Sequence, residues 1–360
     1  MIALRHHEFH DGLGARFGEL NGSEIVTDYG EPGAECRFLT ESVGVIDLSF
    51  RGRICVLGQD RSKFLHGQLT NEIKRLQSGQ GCYSALVTNK GKIQSDLNVH
   101  CLENEILLDF EPGLTDLVKE RIERFVVADD VELCDVSEAF GVVSVQGPKA
   151  AEAISKLELP MAMPDGSHAV TWTEDETLGP IYLVCHPRLG GTGFDVYAAD
   201  ESVPAIADKL IAAARELDGG SVGWGAFEQV RIVTGIPRFG QDMTEDNLAP
   251  EAGIEDRAIA YDKGCYIGQE VLNRLHNFAE VSRSLRVLSL PKNAKPSKGD
   301  AIFADDKQVG EVTSAAALPG ASTPTCIGFV RKGHKEIGAK LRIGDDPAEI
   351  VGLPFGAQAE

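Results

Sequence analysis

The residues best placed for chemistry lie in one short stretch of the sequence. Residues 263–270 read Lys-Gly-Cys-Tyr-Ile-Gly-Gln-Glu, so the thiol of Cys265 stands between two glycines and two positions after a lysine. Apolar residues then recur at the spacing of one helix face, which predicts a helix over residues 269–278. A cysteine just before a helix N-terminus and near an ammonium group has two reasons for extra thiolate character. The stretch therefore points to a reactive thiol.

A plainer interpretation fits the same residues. Free cysteine is among the most buried residue types, so Cys265 is equally well explained as a small core residue of a tight loop. Gly264 and Gly268 allow backbone angles that other residues avoid, and they also let a ligand approach the chain closely. The residue types alone leave both interpretations open.

The octapeptide resembles the signature motif of the YgfZ family, whose fold is similar to that of the aminomethyltransferase (T protein) of the glycine cleavage system. In the transferase, the matching stretch carries an acidic residue in place of the cysteine. The resemblance implies binding of tetrahydrofolate and a part in the assembly or repair of iron–sulfur clusters, including those of tRNA-modifying enzymes. It also implies that Cys265 lies beside the folate pocket and has a catalytic role there. The implied motif residues are Lys263, Gly264, Cys265, Tyr266, Gly268, Gln269 and Glu270.

The charge of the chain limits its partners. The 360 residues carry a formal net charge of −20, which argues against extensive binding to nucleic acid or to an anionic membrane. Local cations are nevertheless present in and after the motif, where Lys263 and Arg274 are candidates for holding folate. No apolar run reaches membrane-spanning length, and the N-terminal residues lack the apolar core of a signal peptide. We therefore expect a cytoplasmic protein. The resemblance implies that its partners are folate and iron–sulfur assembly factors or their client enzymes.

The chain offers no recognisable motif for a bound metal. Its eight cysteines are scattered without a Cys-x-x-Cys pair, which fits neither a zinc ribbon nor a ferredoxin-like cluster site. His6 and His10 stand four residues apart, as metal ligands on a helix sometimes do, but no further ligand cluster accompanies them. We expect these two histidines on a solvated helix face and predict no stably bound metal.

A second informative region spans residues 83–100. Residues 89–92 are typical of a hairpin turn, and the strand after them alternates, with Asp96 on its polar face. By periodicity alone this face is solvated. In the aminomethyltransferases an Asp-Leu pair at this place supplies the folate-site carboxylate, so the resemblance implies that Asp96 contacts folate and is catalytic. A folate-contacting tyrosine lies in the preceding strand of that family, and Tyr83 matches it.

Two further segments resemble the transferases but depart from them. Asp195 stands in the place of a folate-contacting glutamate, although the glycine-rich turn before it lacks the family's tyrosine. Phe227 stands where the transferases carry a folate-site arginine. A phenylalanine cannot replace the fork of donors that a guanidinium offers. This second departure argues against full aminomethyltransferase activity.

The resemblance implies an α+β fold like that of the aminomethyltransferase, with two sheet-and-helix units around a central channel. From Ser284 on, short strand-like runs separated by turn residues suggest a small β-barrel. We predict an N-terminal folate-binding unit over residues 1–137, a middle unit with the motif over 138–282, and a C-terminal barrel over 283–360. The first two units are expected to interleave. Residues 160–180 are expected to form a loop without chemistry.

Three functions remain open at this point. The first is a tetrahydrofolate-binding protein of iron–sulfur cluster assembly or repair. The second is an aminomethyltransferase of one-carbon metabolism, which moves an aminomethyl carbon from a lipoyl carrier to tetrahydrofolate. The third is a non-catalytic folate-binding scaffold. Phe227 and Cys265 favour the first function over the second, and nothing in the sequence separates the first from the third. Whether the protein is an enzyme therefore stays open.

Overall fold

Helices surround three β-sheets and a hairpin in the computed structural model, which describes residues 1–320 and 323–356. This arrangement confirms the α+β class expected from the sequence. Within the described ranges, no helix is long and apolar enough to cross a lipid bilayer. The helices are His7–Gly12 (α1), Pro32–Glu41 (α2), Arg61–Gln68 (α3), Thr115–Glu123 (α4), Ala150–Ser155 (α5), Val203–Glu216 (α6), Trp224–Val233 (α7), Ala249–Ala252 (α8), Glu255–Ala258 (α9) and Gln269–Phe278 (α10).

The first sheet carries the predicted hairpin around residues 89–92. The alternation in its second strand turns Leu97 and Val99 toward a core shared with α3 and α4, and it turns Asp96 and Asn98 to the opposite face. All neighbouring strands are antiparallel. In spatial order the strands are Gln80–Val87 (β5), Ile93–Cys101 (β6), Ile106–Phe110 (β7), Gly52–Leu57 (β4) and Glu132–Asp135 (β8).

The second sheet combines strands from distant parts of the chain. Strand Gly44–Asp47 pairs with Phe140–Gln146, so an early segment completes a sheet built mostly from later residues. The outer face of this sheet packs against α5 and α6 in an apolar core. The boundaries drawn at 137/138 and 282/283 stay predictions. In spatial order the strands are Val170–Asp175 (β10), Gly179–Cys185 (β11), Gly193–Ala199 (β12), Phe140–Gln146 (β9), Gly44–Asp47 (β3) and Gly220–Ser221 (β13).

The predicted C-terminal barrel is confirmed as a closed barrel of six strands. Its interior is filled by alternating apolar residues such as Leu288, Val312 and Ile350, all fully buried. The sequence pattern missed the strand Ala301–Ala304, which is short and has only partly buried residues beside Ile302. In spatial order the strands are Arg283–Ser289 (β14), Thr325–Arg331 (β17), Lys307–Ala316 (β16), Ala301–Ala304 (β15), Lys340–Ile343 (β18) and Asp346–Gly352 (β19).

The N-terminal segment corrects one expectation. It contains α1 and the hairpin of Arg16–Leu20 (β1) with Ser23–Asp28 (β2). His6 and His10 were expected on a solvated helix face, but both are buried, because they bind a carboxylate of the second sheet. Nε2 of His10 lies 2.9 Å from Oδ2 of Asp47. Burial opposes ionisation of Asp47, but the hydrogen bonds from the two histidines outweigh it and lower the pKa of this carboxyl well below its usual range.

A buried polar layer lies where the two sheets face each other. Asp109 of β7 and Asp195 of β12 are both 0% exposed. The guanidinium of Arg188 lies between them, with Nη2 at 3.1 Å from Oδ2 of Asp109 and 2.7 Å from Oδ2 of Asp195. Since a buried carboxylate is costly without a partner, this arginine binds the sheets together.

Candidate functional site

A central cavity of about 100 Å³ opens beside the polar layer, between the two sheets, α7 and the C-terminal end of the described chain. Its wall is mixed, with aromatic rings, carboxyl groups, imidazoles and an unusual number of guanidinium groups. The lining arginines are Arg51, Arg188, Arg231, Arg238 and Arg257. Convergent charges in a concave site with apolar walls are typical of a small-molecule site.

Asp96 and Tyr83 both line this cavity, as neighbours on β6 and β5. The Tyr83 hydroxyl donates a hydrogen bond of 2.8 Å to Oδ2 of Asp96. Burial and the charge of Glu111 raise the pKa of Asp96 to about 6, although the Tyr83 hydrogen bond and Arg51 act in the opposite direction. Burial, together with Asp96, raises the pKa of Tyr83 well above its usual value. Asp96 can therefore hold or release a proton close to neutral pH.

The other carboxylates around the cavity are held by arginines. Arg51 donates from Nε to Oδ1 of Asp109 at 2.9 Å and also binds Glu111. Arg238 donates from Nη1 to Oε2 of Glu111 at 3.0 Å. These charge-assisted bonds fix the orientation of both arginines at the cavity wall. Asp96 has no arginine partner among the described residues, and its side chain accepts a hydrogen bond from Tyr83 instead.

Asp195 was predicted to contact folate, and the structure places it one layer behind the cavity. It is completely buried, and its oxygens are taken by Arg188 and by Nδ1 of His186, the latter at 2.8 Å. Burial opposes ionisation, but Arg188 and His186 outweigh it and lower the pKa of Asp195 well below its usual range. Arg188 and His186 line the cavity themselves. Asp195 thus orients the cavity wall, and direct contact with a ligand stays a prediction.

The cavity wall contains two histidines that sequence reasoning did not assign. His168 lies in the stretch that was expected to be a loop without chemistry, and its Nε2 is 3.2 Å from Oδ1 of Asn98. His186 directly follows strand β11. Burial lowers the pKa of His168 to about 2, and burial also lowers the pKa of His186. Both rings are therefore neutral at physiological pH and add donors or acceptors without adding charge.

Phe227 forms an apolar wall where the transferases carry an arginine. Its ring is stacked on that of Trp224, with centroids 5.3 Å apart and planes inclined by 19°. The guanidinium of Arg238 lies 5.4 Å from the centroid of the Trp224 ring. Both aromatic residues come from the first turn of α7 and line the cavity. This wall offers a flat apolar surface in place of donors.

The motif of residues 263–270 lies outside the cavity lining. The Lys263 ammonium donates to three backbone carbonyls at 2.6–2.8 Å, those of His66, Leu69 and Asn71. Burial lowers the pKa of Lys263 to about 8. The lysine thus fastens the motif to the end of α3. It was predicted to bind folate, but its donors are directed at the backbone.

The remaining motif residues form a tight entry into α10, as predicted. Gly268 has φ of +86°, and a Cβ atom here would lie 2.6 Å from the carbonyl oxygen of Thr88, so this position favours glycine. Tyr266 is buried beside it, and Gln269 and Glu270 open the helix. Gly264 lies next to the His66 ring, since a Cβ on Gly264 would be 3.3 Å from Nε2 of His66.

Cys265 is exposed, which excludes the interpretation of a buried core cysteine. It does not line the cavity, and neither does Arg274, which is exposed on α10. The roles predicted for these residues toward folate therefore stay predictions. Within residues 1–320 and 323–356, no cluster of three or more histidine, cysteine, aspartate or glutamate side chains has the arrangement of a metal site.

Comparisons with known proteins cover nearly the whole chain. A protein of Arabidopsis thaliana named as a chloroplastic transferase (At1g60990) is 29% identical over 98% of this chain and 80% of its own length. An aminomethyltransferase of Corynebacterium jeikeium is 26% identical over 97% of this chain and 94% of its own length.

The crystal structure of the glycine cleavage system aminomethyltransferase T from Bartonella henselae superimposes with a TM-score of 0.87, over 98% of this chain and 97% of that one. The sequence identity in this superposition is 22%, so the likeness shows a shared fold. Residues 6–263 match the GCVT N-terminal domain, and residues 283–355 match the glycine cleavage T-protein C-terminal barrel domain. The chain belongs to the GCVT (glycine cleavage T-protein) family.

Proposed function

We propose that the protein binds tetrahydrofolate in the central cavity and acts in the cytoplasm in the assembly or repair of iron–sulfur clusters, as members of the YgfZ branch of this family do. The observation that carries the folate part is the Tyr83–Asp96 pair in the cavity. A carboxylate there accepts hydrogen bonds from a nitrogen-rich ring, and the Trp224–Phe227 wall offers the flat surface on which such a ring packs. Bound tetrahydrofolate would supply one-carbon chemistry.

The iron–sulfur part is supported by the octapeptide and by the exposure of Cys265. An exposed thiol on a loop fixed by the buried Lys263 is accessible to a partner protein, to a cluster or to a sulfur donor. Its clients would be cluster enzymes such as those that modify tRNA. In this role Cys265 acts outside the cavity lining, and folate binding and thiol chemistry are separate properties of the chain.

Aminomethyl transfer is the second candidate function. It is favoured by the full-length similarity to proteins named aminomethyltransferase. It is disfavoured by the packing of Phe227 against Trp224, which leaves an apolar wall at the position of the transferases' arginine. A folate-binding scaffold without turnover is the third candidate, and it shares the cavity with the first.

Two measurements test these candidates, and the second separates aminomethyl transfer from the other two. The first is anaerobic calorimetric titration with tetrahydrofolate, for which we expect binding by the wild type and at least tenfold weaker binding by Asp96→Ala. The second is formation of methylene-tetrahydrofolate from an aminomethyl-loaded lipoyl carrier, for which we expect no turnover. Robust turnover would replace the proposed function by aminomethyl transfer. Absence of tetrahydrofolate binding would contradict all three candidates.

The cluster role is tested by complementation. In a strain that lacks the protein, the wild type should restore the activity of a cluster-dependent tRNA-modifying enzyme, whereas Cys265→Ala should not. Cys134→Ala is the matched control, since Cys134 is a partly exposed cysteine on β8. Full restoration by Cys265→Ala would make the thiol incidental and would favour the scaffold.

A further inference from the structure

One arginine at the cavity has no acidic partner among the residues that the structure describes. Arg51, Arg188, Arg231 and Arg238 each have a carboxylate oxygen within 4.0 Å. Arg257 has none among the described residues, and its guanidinium makes no hydrogen bond to them. Arg257 belongs to α9, is exposed and also lines the cavity, which places it at the cavity mouth. A cation in this position is free to bind an anion that arrives from solvent.

The Arg257 guanidinium is nevertheless held in place. It stacks on Phe355, with Cζ 4.2 Å from the ring centroid. The same ring meets Tyr83 edge to face, with centroids 6.1 Å apart. Stacking occupies the face of a guanidinium, whereas its five N–H donors point outward in its plane. The donor edge of Arg257 therefore remains available while its orientation is fixed.

The backbone keeps Arg257 and Phe355 together. Phe355 has φ of +61°, which is strained for a bulky residue, and its N–H donates to the carbonyl of Gly235 at 2.8 Å. Pro354 packs on Gly253, where a Cβ atom would lie 2.7 Å from the proline Cγ. These contacts fix the turn Pro354–Gly356 against the segment that carries Arg257. The stacked pair of Arg257 and Phe355 is therefore formed before any ligand binds.

The size of the cavity says which part of a ligand reaches this pair. Ligand pockets usually measure roughly 300–1,000 Å³, whereas this cavity measures about 100 Å³. A folate consists of a pterin ring, an aminobenzoyl linker and a glutamate with two carboxylates. The cavity has room for part of such a molecule, so the remainder extends to the mouth. The end that carries the carboxylates is the end that an unpaired guanidinium would bind most favourably.

We propose that Arg257 binds the carboxylate tail of the folate ligand, with Phe355 as the positioning residue that orients its guanidinium. This inference rests on the proposed folate binding. The cavity therefore selects for ligands that join a donor-rich ring to an anionic tail.

The test compares two probes of different length. 5-Formyltetrahydrofolate carries the glutamate tail, whereas 6-methyltetrahydropterin has the reduced ring without linker or tail. We expect Arg257→Gln to raise the Kd of the first probe at least tenfold, as for a lost charge-assisted bond, and to change the second less than twofold. Arg331→Gln, at an exposed arginine of the barrel, is the control and should leave both values unchanged. Thermal melting confirms that each variant is folded.

Salt dependence separates charge from packing. Kd for 5-formyltetrahydrofolate should rise with ionic strength in the wild type and in Phe355→Leu, and should become nearly independent of salt in Arg257→Gln. Phe355→Leu should weaken binding about threefold, and Arg257→Lys should fall between wild type and Arg257→Gln. An equal effect of Arg257→Gln on both probes, or no effect on either, overturns the assignment. Failure of the wild type to bind either probe contradicts folate binding itself.

Discussion

Asp96 should make the folded protein less stable at neutral pH than an uncharged residue of the same shape would. Its pKa is raised from 3.8 to about 6, mainly by burial and then by Glu111. The folded protein therefore binds this proton more tightly than the unfolded chain does. Because the folded-state pKa lies above the unfolded one, stability falls as the pH rises from about 4 to about 6. A difference of about 2 pKa units corresponds to about 3 kcal/mol.

The perturbation that isolates this effect is Asp96→Asn. The amide oxygen still accepts the Tyr83 hydrogen bond, so the geometry is preserved while the titration is removed. Urea unfolding followed by circular dichroism would be measured between pH 3.5 and pH 8. At pH 8 we expect the variant to be more stable than the wild type by up to about 3 kcal/mol, and at pH 3.5 the two should be nearly equal.

Other buried acids also make the free energy of unfolding depend on pH, but they do so equally in both proteins. Asp109 and Asp195, whose pKa values are lowered, destabilise wild type and variant alike as the pH falls, so their effect cancels in the difference. Asp208→Asn, at an exposed position of α6, is the control and should show no such pH-dependent difference. A difference that is constant across the pH range, or a wild type that is the more stable protein at pH 8, would refute the reasoning.

Three further predictions follow from single contacts. Arg188→Met should lower the free energy of unfolding by about 3–5 kcal/mol in urea titrations, because it leaves two buried aspartates unpaired; a loss below 1 kcal/mol would contradict this bridge. Gly268→Ala should destabilise by about 2 kcal/mol and Gly264→Ala by less, as measured by thermal melting, since only the former combines a positive φ with a backbone clash; equal effects would count against it. Iodoacetamide should label Cys265 first in the native protein, as shown by peptide mass mapping; faster labelling elsewhere would show that this thiol is shielded.

Local patterns predicted the elements that carry Asp96, Tyr83 and Cys265. The alternation of β6 has period two, and it correctly separated the face of Asp96 from the face of Leu97. The alternation could not predict what packs against the polar face. The sequence of a polar strand face is the same whether that face contacts water or a second polar sheet. The structure shows that the second sheet covers part of this face, and Asp96 becomes a cavity residue only through that packing.

The residues that sequence reasoning missed act through long-range pairing. Arg188 and Asp109 are 79 positions apart, and Arg51 and Asp109 are 58 positions apart. A charged residue in a turn or at a strand start is ordinarily solvated, so neither composition nor periodicity indicates such a pair. The expectation that His10 is solvated was wrong for the same reason, since its partner Asp47 lies on strand β3, 37 positions along the chain. The sequence contained one weak indication of these buried ion pairs, namely arginines next to otherwise apolar strands.

The pattern of unpaired charges argues that the cavity is built for an elongated ligand. Asp109, Glu111 and Asp195 all have arginine partners, whereas in the described part of the chain the side chain of Asp96 is bound only by the Tyr83 hydroxyl. At the mouth, the Arg257 guanidinium stacks on the Phe355 ring and has no carboxylate partner within residues 1–320 and 323–356.

A series of contacts connects these two groups. The Tyr83 hydroxyl lies 2.8 Å from Oδ2 of Asp96, and the centroids of the Tyr83 and Phe355 rings are 6.1 Å apart. Cζ of Arg257 lies 4.2 Å from the centroid of the Phe355 ring. A chain optimised for stability alone would pair the acid with one of the nearby arginines. A ligand with a donor edge at one end and a carboxylate at the other would satisfy both groups together. Ligand binding therefore recovers the stability that Asp96 costs in the unliganded protein. We expect Asp96→Asn to raise the free energy of unfolding and, in the opposite direction, to weaken ligand binding.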